Sequence, residues 1–139
     1  MSYLKFDRKA GRLSLIYIRN DSKGHPHQFV ARDSHWPAAN NVDSRSRGPW
    51  PEGEFPFSYW VSHRGDPPCS TYGSHGVLVF DVPGREGMGV HAGRLGVPDG
   101  RGRSGHKHAT MGCIRTTEDA MEDILDLHAD DPLTHIVVT

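Results

Sequence analysis

The sequence predicts a mainly β domain of mostly antiparallel strands, with one prominent helix and long loops. Three observations carry that expectation. Short runs rich in β-branched and aromatic residues recur along the chain. Sixteen Gly and ten Pro punctuate them, which suits many turns better than a helical bundle. A helical period of apolar positions occurs only near the C-terminus.

The elements follow in order. LSLIYI (13–18) has strand composition, KGHP follows as a turn, and QFVA (28–31) is placed to pair back as a hairpin. SHWPAANNVDSRSRGPWPEG (34–53) is dense in Pro, Gly, Asn and Ser and is expected to be loop throughout. EFPFSYWV (54–61) resumes strand character, with Pro56 marking an edge or a bulge. After a second loop at 64–76, GVLVFDV (76–82) is the strongest strand, and GMGVHA (87–92) is another beyond the PGRE turn. GRLGVPDGRGRSGHKHAT (93–110) is a third, basic loop. Met121, Ile124, Leu125 and His128 then share one helical face, Thr116 and Asp119 resemble a capping box, and THIVVT (134–139) closes the chain as a strand. No repeat or low-complexity tract interrupts this order, so residues 1–139 are expected to form one domain.

A net charge of −1 argues against a nucleic-acid surface built on phosphate neutralisation, although Arg45, Arg47, Arg94, Arg101 and Arg103 cluster locally. No stretch approaches the roughly 20 apolar residues of a membrane span, so no membrane insertion is expected. MSYLKFDRKAG lacks the apolar core and cleavage site of a secretory signal. Two cysteines, Cys69 and Cys113, are too few for a disulfide framework, and a bridge between them would cap both thiols.

Cys113 lies just before the predicted helix, where backbone amides stabilise a thiolate; as a bland alternative, it is a small core residue. Gly112 removes a side chain beside it and lets a substrate carbonyl approach amides that would act as an oxyanion hole. The base must be an imidazole. His91 ends a predicted strand, a rigid mount, whereas His106 and His108 lie on a Gly-rich loop. His91, His106, His108 and Cys113 also define a zinc alternative, weakened because no HExxH or CxxC spacing is present.

VHAG (90–93) followed by TMGCIR (110–115) resembles the L,D-transpeptidase catalytic (YkuD-like) domain family, whose signature is a strand-end His, a loop, then [S/T]-H-G-C-[I/V]-R. GRLSLIY (11–17), GPWPEGEF (48–55) and THIVVT match its opening hairpin, its entry to a core strand and its closing strand, so the resemblance spans nearly the whole chain. It implies an L,D-transpeptidase-like β-sandwich or barrel with one helix after the catalytic Cys. It also implies Cys113 as nucleophile, His91 as general base, and the Ala92 carbonyl as the group orienting its imidazole. The amides of Met111, Gly112 and Cys113 would line the oxyanion hole. Thr110 matches the motif's hydroxyl, and Arg115 its Arg, holding the loop or contacting a substrate carboxylate. Tyr72 is placed on a loop lidding the acyl-donor cleft.

Two positions depart from the pattern. Met111 replaces the usual His, so the contribution of that imidazole is absent or supplied by His108, and the loop from His91 to Cys113 is longer than common. The implied function is acyl transfer on peptidoglycan stem peptides through a Cys thioester, without a cofactor. The alternatives are an L,D-carboxypeptidase of the same fold, an interbacterial or phage cell-wall effector, a zinc peptidase, or an inactive wall-binding module. A monomer acting in the periplasm or cell wall is expected. Because Met1 opens directly onto a plausible strand, a non-Sec route, injection or lysis is expected over a leader absent from the chain.

Overall fold

Strand-forming and turn-forming stretches alternate in the computed structural model much as the composition dictates, but the strands close on themselves in a way no local pattern shows. The structure describes residues 1–20 and 22–139, without the side chains of residues 28–34. In chain order the elements are β1 (Ser2–Asp7), β2 (Arg12–Asn20), β3 (Pro26–Pro37), β4 (Gly53–Val61), β5 (Val77–Phe80), β6 (Gly89–His91), β7 (Ile114–Arg115), α1 (Glu118–Asp130) and β8 (Leu133–Val138). The sheet runs β3-β2-β1-β8-β4-β5-β6-β7. Most pairs are antiparallel, while β1–β8 and β6–β7 are parallel.

Register organises the core. Leu15, Leu4, Ile136 and Phe55 face one another in successive strands, as do Leu13, Phe6 and Val138, and all are buried. Such rows of opposed apolar side chains are the unit of sheet stabilisation. Met121 and Ile124 of α1 join the same core, fully buried, each worth roughly 1.5–3 kcal/mol of transfer free energy. Leu125 is partly buried against it. His128, on the same stripe, packs edge-on to Phe57 and accepts the Leu133 amide at 2.9 Å.

β4 explains Pro56. Residues Gly53–Pro56 pair with β8, and Phe57–Val61 pair with β5, with a register shift after Phe57. A residue without an amide hydrogen fits this handover between partners, so Pro56 marks an irregular, interior position and not an edge.

Three local expectations change. SHWP (34–37) belongs to β3, because Leu13 and Arg12 find ladder partners in Trp36 and Pro37. The helix cap is Thr117, whose side chain accepts the Ala120 amide at 3.1 Å, while the Thr116 hydroxyl donates to the Pro37 carbonyl. The chain past β3 then reaches the far end of the sheet. Ala39 and Arg115 exchange two backbone hydrogen bonds of 2.9 Å, and Thr110 bridges Asn41 and Asp43 at 2.7 Å each. The two ends of the sheet thus meet, and a strap of residues 38–50 lies across the turn before β7. Among the described residues no helix is long and apolar enough to cross a membrane.

Candidate active site

Two short parallel strands set the site. In β6 and β7, His91 stands opposite Arg115 and Val90 opposite Ile114. Cys113 lies just outside β7, immediately before Ile114 and two residues before Arg115. The opposite face, Val90 and Ile114, is fully buried in the core and anchors the pair. Cys113 therefore precedes a strand and lies short of the helix, which starts at Glu118. A helix N-terminus does not surround the thiol; the strand ladder and the strap position it instead.

His91 is buried, at 2 % exposure. Its Nδ1 lies 2.7 Å from the Ala92 carbonyl oxygen. A carbonyl only accepts, so Nδ1 carries the proton and Nε2 is left with the lone pair. Burial lowers its pKa to about 3, against the Ala92 bond, which raises it, and with repulsion from Arg115 and His63. The ring is neutral at physiological pH.

Cys113 is half-buried, and its thiol points to the Gly87 carbonyl at 3.6 Å. Burial raises its pKa, while a hydrogen bond from Gly89 and the charges of Arg115 and Arg85 pull it back. Thiol and imidazole are thus both neutral at rest, and proton transfer awaits a substrate. Cys69 and Cys113 are free thiols, so the considered bridge is not formed.

The turn before β7 is held from several sides. Asn40 Nδ2 donates to the carbonyls of Gly112 and Cys113 at 2.7 and 2.9 Å, while its Oδ1 accepts the Trp50 amide at 2.7 Å. Ser46 Oγ donates to the Met111 carbonyl at 3.0 Å. Thr110 Oγ1 donates to the Cys113 carbonyl at 2.7 Å and accepts the Gly112 amide at 3.2 Å. Of the amides expected at an oxyanion hole, that of Gly112 is therefore already engaged. Gly112 itself has φ +136°, in the region that favours glycine, and a Cβ there would overlap the Arg85 guanidinium.

Arg115 is buried, at 2 % exposure, and its donors go to carbonyls: Nε to Ala92 at 3.3 Å, Nη1 to His108 at 2.7 Å and Ala109 at 3.0 Å, Nη2 to Thr71 at 3.1 Å. Burial lowers its pKa to about 10, so it stays charged. It pins the His108 loop and the Thr71 loop to the strand end that bears His91.

Tyr72, on the loop between β4 and β5, meets the His91 ring edge-on at 5.0 Å. His63 packs on Tyr72 at 4.8 Å and contacts Asp66 at 3.2 Å. Met111 is exposed at 55 %, and His108 is turned against Arg115, 3.3 Å from its Nη1. A cleft of about 930 Å³ is bordered by Arg47, Tyr59, Val82, Arg85, Glu86 and Gly87, whose carbonyl the Cys113 thiol contacts.

Asn40, Ser46, Arg85 and Glu118 are the contributors that sequence reasoning missed. Only Asn40 carried a signal, the NN pair ahead of GPWPEGEF. Among the described residues no three His, Cys, Asp or Glu side chains gather as metal ligands, so the His91, His106, His108 and Cys113 set is not assembled.

No protein-family model and no curated protein matches the sequence. Solved structures do match it. The Bdellovibrio bacteriovorus protein Bd1075 superposes with a TM-score of 0.63 at 18% identity, over 99% of this chain and 47% of that one. The L,D-transpeptidase from Xylanimonas cellulosilytica gives 0.55 at 17%, over 99% of this chain and 60% of that one. The L,D-transpeptidase from Mycobacterium smegmatis gives 0.54 at 17%, over 99% and 58%. The chain spans about half to three fifths of the length of these structures. At such low identity the likeness shows architecture alone: a mainly β chain with the fold of L,D-transpeptidase domains.

Proposed function

We propose that the protein is a cysteine acyltransferase acting on peptidoglycan stem peptides, with Cys113 as nucleophile and His91 as base. One observation supports this reading: the β6–β7 ladder sets His91 opposite Arg115, two residues from Cys113, with the His91 tautomer set by the Ala92 carbonyl. The fold shared with L,D-transpeptidases supports the substrate class.

The thiol proton passes to His91 Nε2 as Sγ attacks the carbonyl carbon preceding a terminal D-residue. The S–C bond forms, and the oxyanion is received by the amides of Cys113 and Met111. The C–N bond then breaks, and the departing amine takes the proton from the imidazolium. The resulting thioester is resolved by an amine acceptor, which gives a cross-link or an exchanged residue, or by water, which gives a carboxypeptidase. No cofactor enters these steps. Tyr72 covers the His91 side, with Thr110, Arg115 and His108 shaping the turn and its flank, and Met111 exposed at the rim. The reading places a monomeric protein at work in the cell wall.

Incubation with a disaccharide-tetrapeptide, followed by mass spectrometry, tests it. Loss of D-Ala or formation of a dimer is expected, and Cys113→Ala abolishes both. Unchanged mass with the parent protein, or turnover that survives in Cys113→Ala, overturns the reading.

A further inference from the structure

Arg85, in the turn between β5 and β6, is a cation at the thiol turn that the sequence motif does not contain. Its Nη1 donates to the Pro49 carbonyl at 2.8 Å and its Nη2 to the Gly48 carbonyl at 2.7 Å. The same guanidinium fills the space where Gly112 lacks a side chain, with Met88 Sδ beside it. Two residues further on, the Gly87 carbonyl receives the Cys113 thiol. These hydrogen-bond partners of Arg85 are neutral carbonyls, which do not offset its charge. A guanidinium wedged against a nucleophile's turn favours negative charge there.

We propose that Arg85 is a positioning residue for the Cys113 chemistry: it clamps the 48–49 strap to the Gly112 turn and offsets the charge on Sγ as the proton leaves. Arg115 acts on the thiol in the same sense and more strongly, its donors also going to neutral carbonyls, so Arg85 adds to a charge already there. Arg85 is the partly exposed member of the pair, at the border of the cleft. Its charge is among those that pull the thiol down against burial. The inference rests on the thiol reading above, although its test needs no peptidoglycan.

The test is the pH profile of Cys113 alkylation by iodoacetamide, read by mass in a Cys69→Ser background so that the exposed thiol does not contribute. Arg85→Gln keeps a donor for the strap and removes the charge. Arg85→Lys keeps the charge and gives up the paired donors. Melting curves establish that both variants are folded. The expected result for Arg85→Gln is alkylation about fivefold slower at neutral pH, with the profile displaced to higher pH, while Arg85→Lys stays near the parent. Superimposable profiles for all three proteins overturn the proposal. Equal displacement in both variants also overturns it, because that assigns Arg85 to scaffolding alone. If the profiles behave as expected but no stem peptide is turned over, the proposed function fails and the role of Arg85 at the thiol stands.

Discussion

Glu118, in the first turn of α1, accepts the Ser74 hydroxyl at 2.7 Å and lies 2.5 Å from His75 Nδ1, joining the helix to the loop that carries Tyr72. The Ser74 amide adds a contact of 3.2 Å to the same carboxylate. The position suits an acid, since a helix N-terminus favours negative charge. Tyr72, two residues before Ser74, reaches the His91 ring, so the carboxylate ties this loop to the helix next to His91. Glu118→Gln keeps the shape and loses the charge-assisted bonds, which are worth about 1–2 kcal/mol together. Amide exchange in residues 70–76 is expected to accelerate about tenfold. Exchange at the parent rate would show that the loop is held by other contacts.

Arg115 gives a stability prediction. Replacement by Met leaves the carbonyls of Thr71, Ala92, His108 and Ala109 without this donor, at a cost of about 3 kcal/mol or more. The expected fall in Tm is about 10 °C. A change within about 2 °C would mean that water replaces the guanidinium without penalty.

Gly112 and Gly84 form a matched pair. Both have positive φ, +136° and +74°, yet a Cβ at Gly84 meets nothing within 4 Å, whereas one at Gly112 runs into Arg85. Gly84→Ala is expected to cost about 1 kcal/mol, from backbone strain alone. Gly112→Ala is expected to cost about 2–3 kcal/mol and to slow acyl transfer, because backbone strain adds to displacement of the Arg85 guanidinium from the strap. Chemical denaturation of both variants checks the ranking, and equal losses would refute it.

Acid sensitivity follows from His91. Its pKa falls from 6.5 to about 3 on folding, chiefly by burial, so the unfolded state binds the proton first. Stability is complete above about pH 6.5 and is lost as pH drops toward 3, at up to about 1.4 kcal/mol per pH unit. Asp99 contributes with the same sign at the lower end. Burial pushes its carboxyl up, but the amides of Arg101, Arg103 and Ala109 and the Arg103 guanidinium outweigh that and hold it below the usual range. Urea titrations between pH 7 and 4 separate the two: His91→Gln should flatten the slope above pH 4, and an unaltered slope would remove His91 as its source.

Local chemistry made much of this molecule legible from the chain alone. The β-branched runs became β2, β5 and β8, and the Met121/Ile124 stripe became the buried face of α1, because strand and helix periods depend on neighbours a few residues away. A strand-end His91 and a glycine-preceded Cys113 were each visible for the same reason. Other features depended on distance along the chain. Whether His91 stands opposite Arg115, two residues from Cys113, depends on the register of two parallel strands joined by a long loop. Burial, which lowers His91 and raises Cys113, exists only once the sheet closes through Ala39 and Arg115. Asn40, Arg85 and Glu118 gained their roles in the same way. Each meets the site through space, across segments whose composition records nothing of the contact.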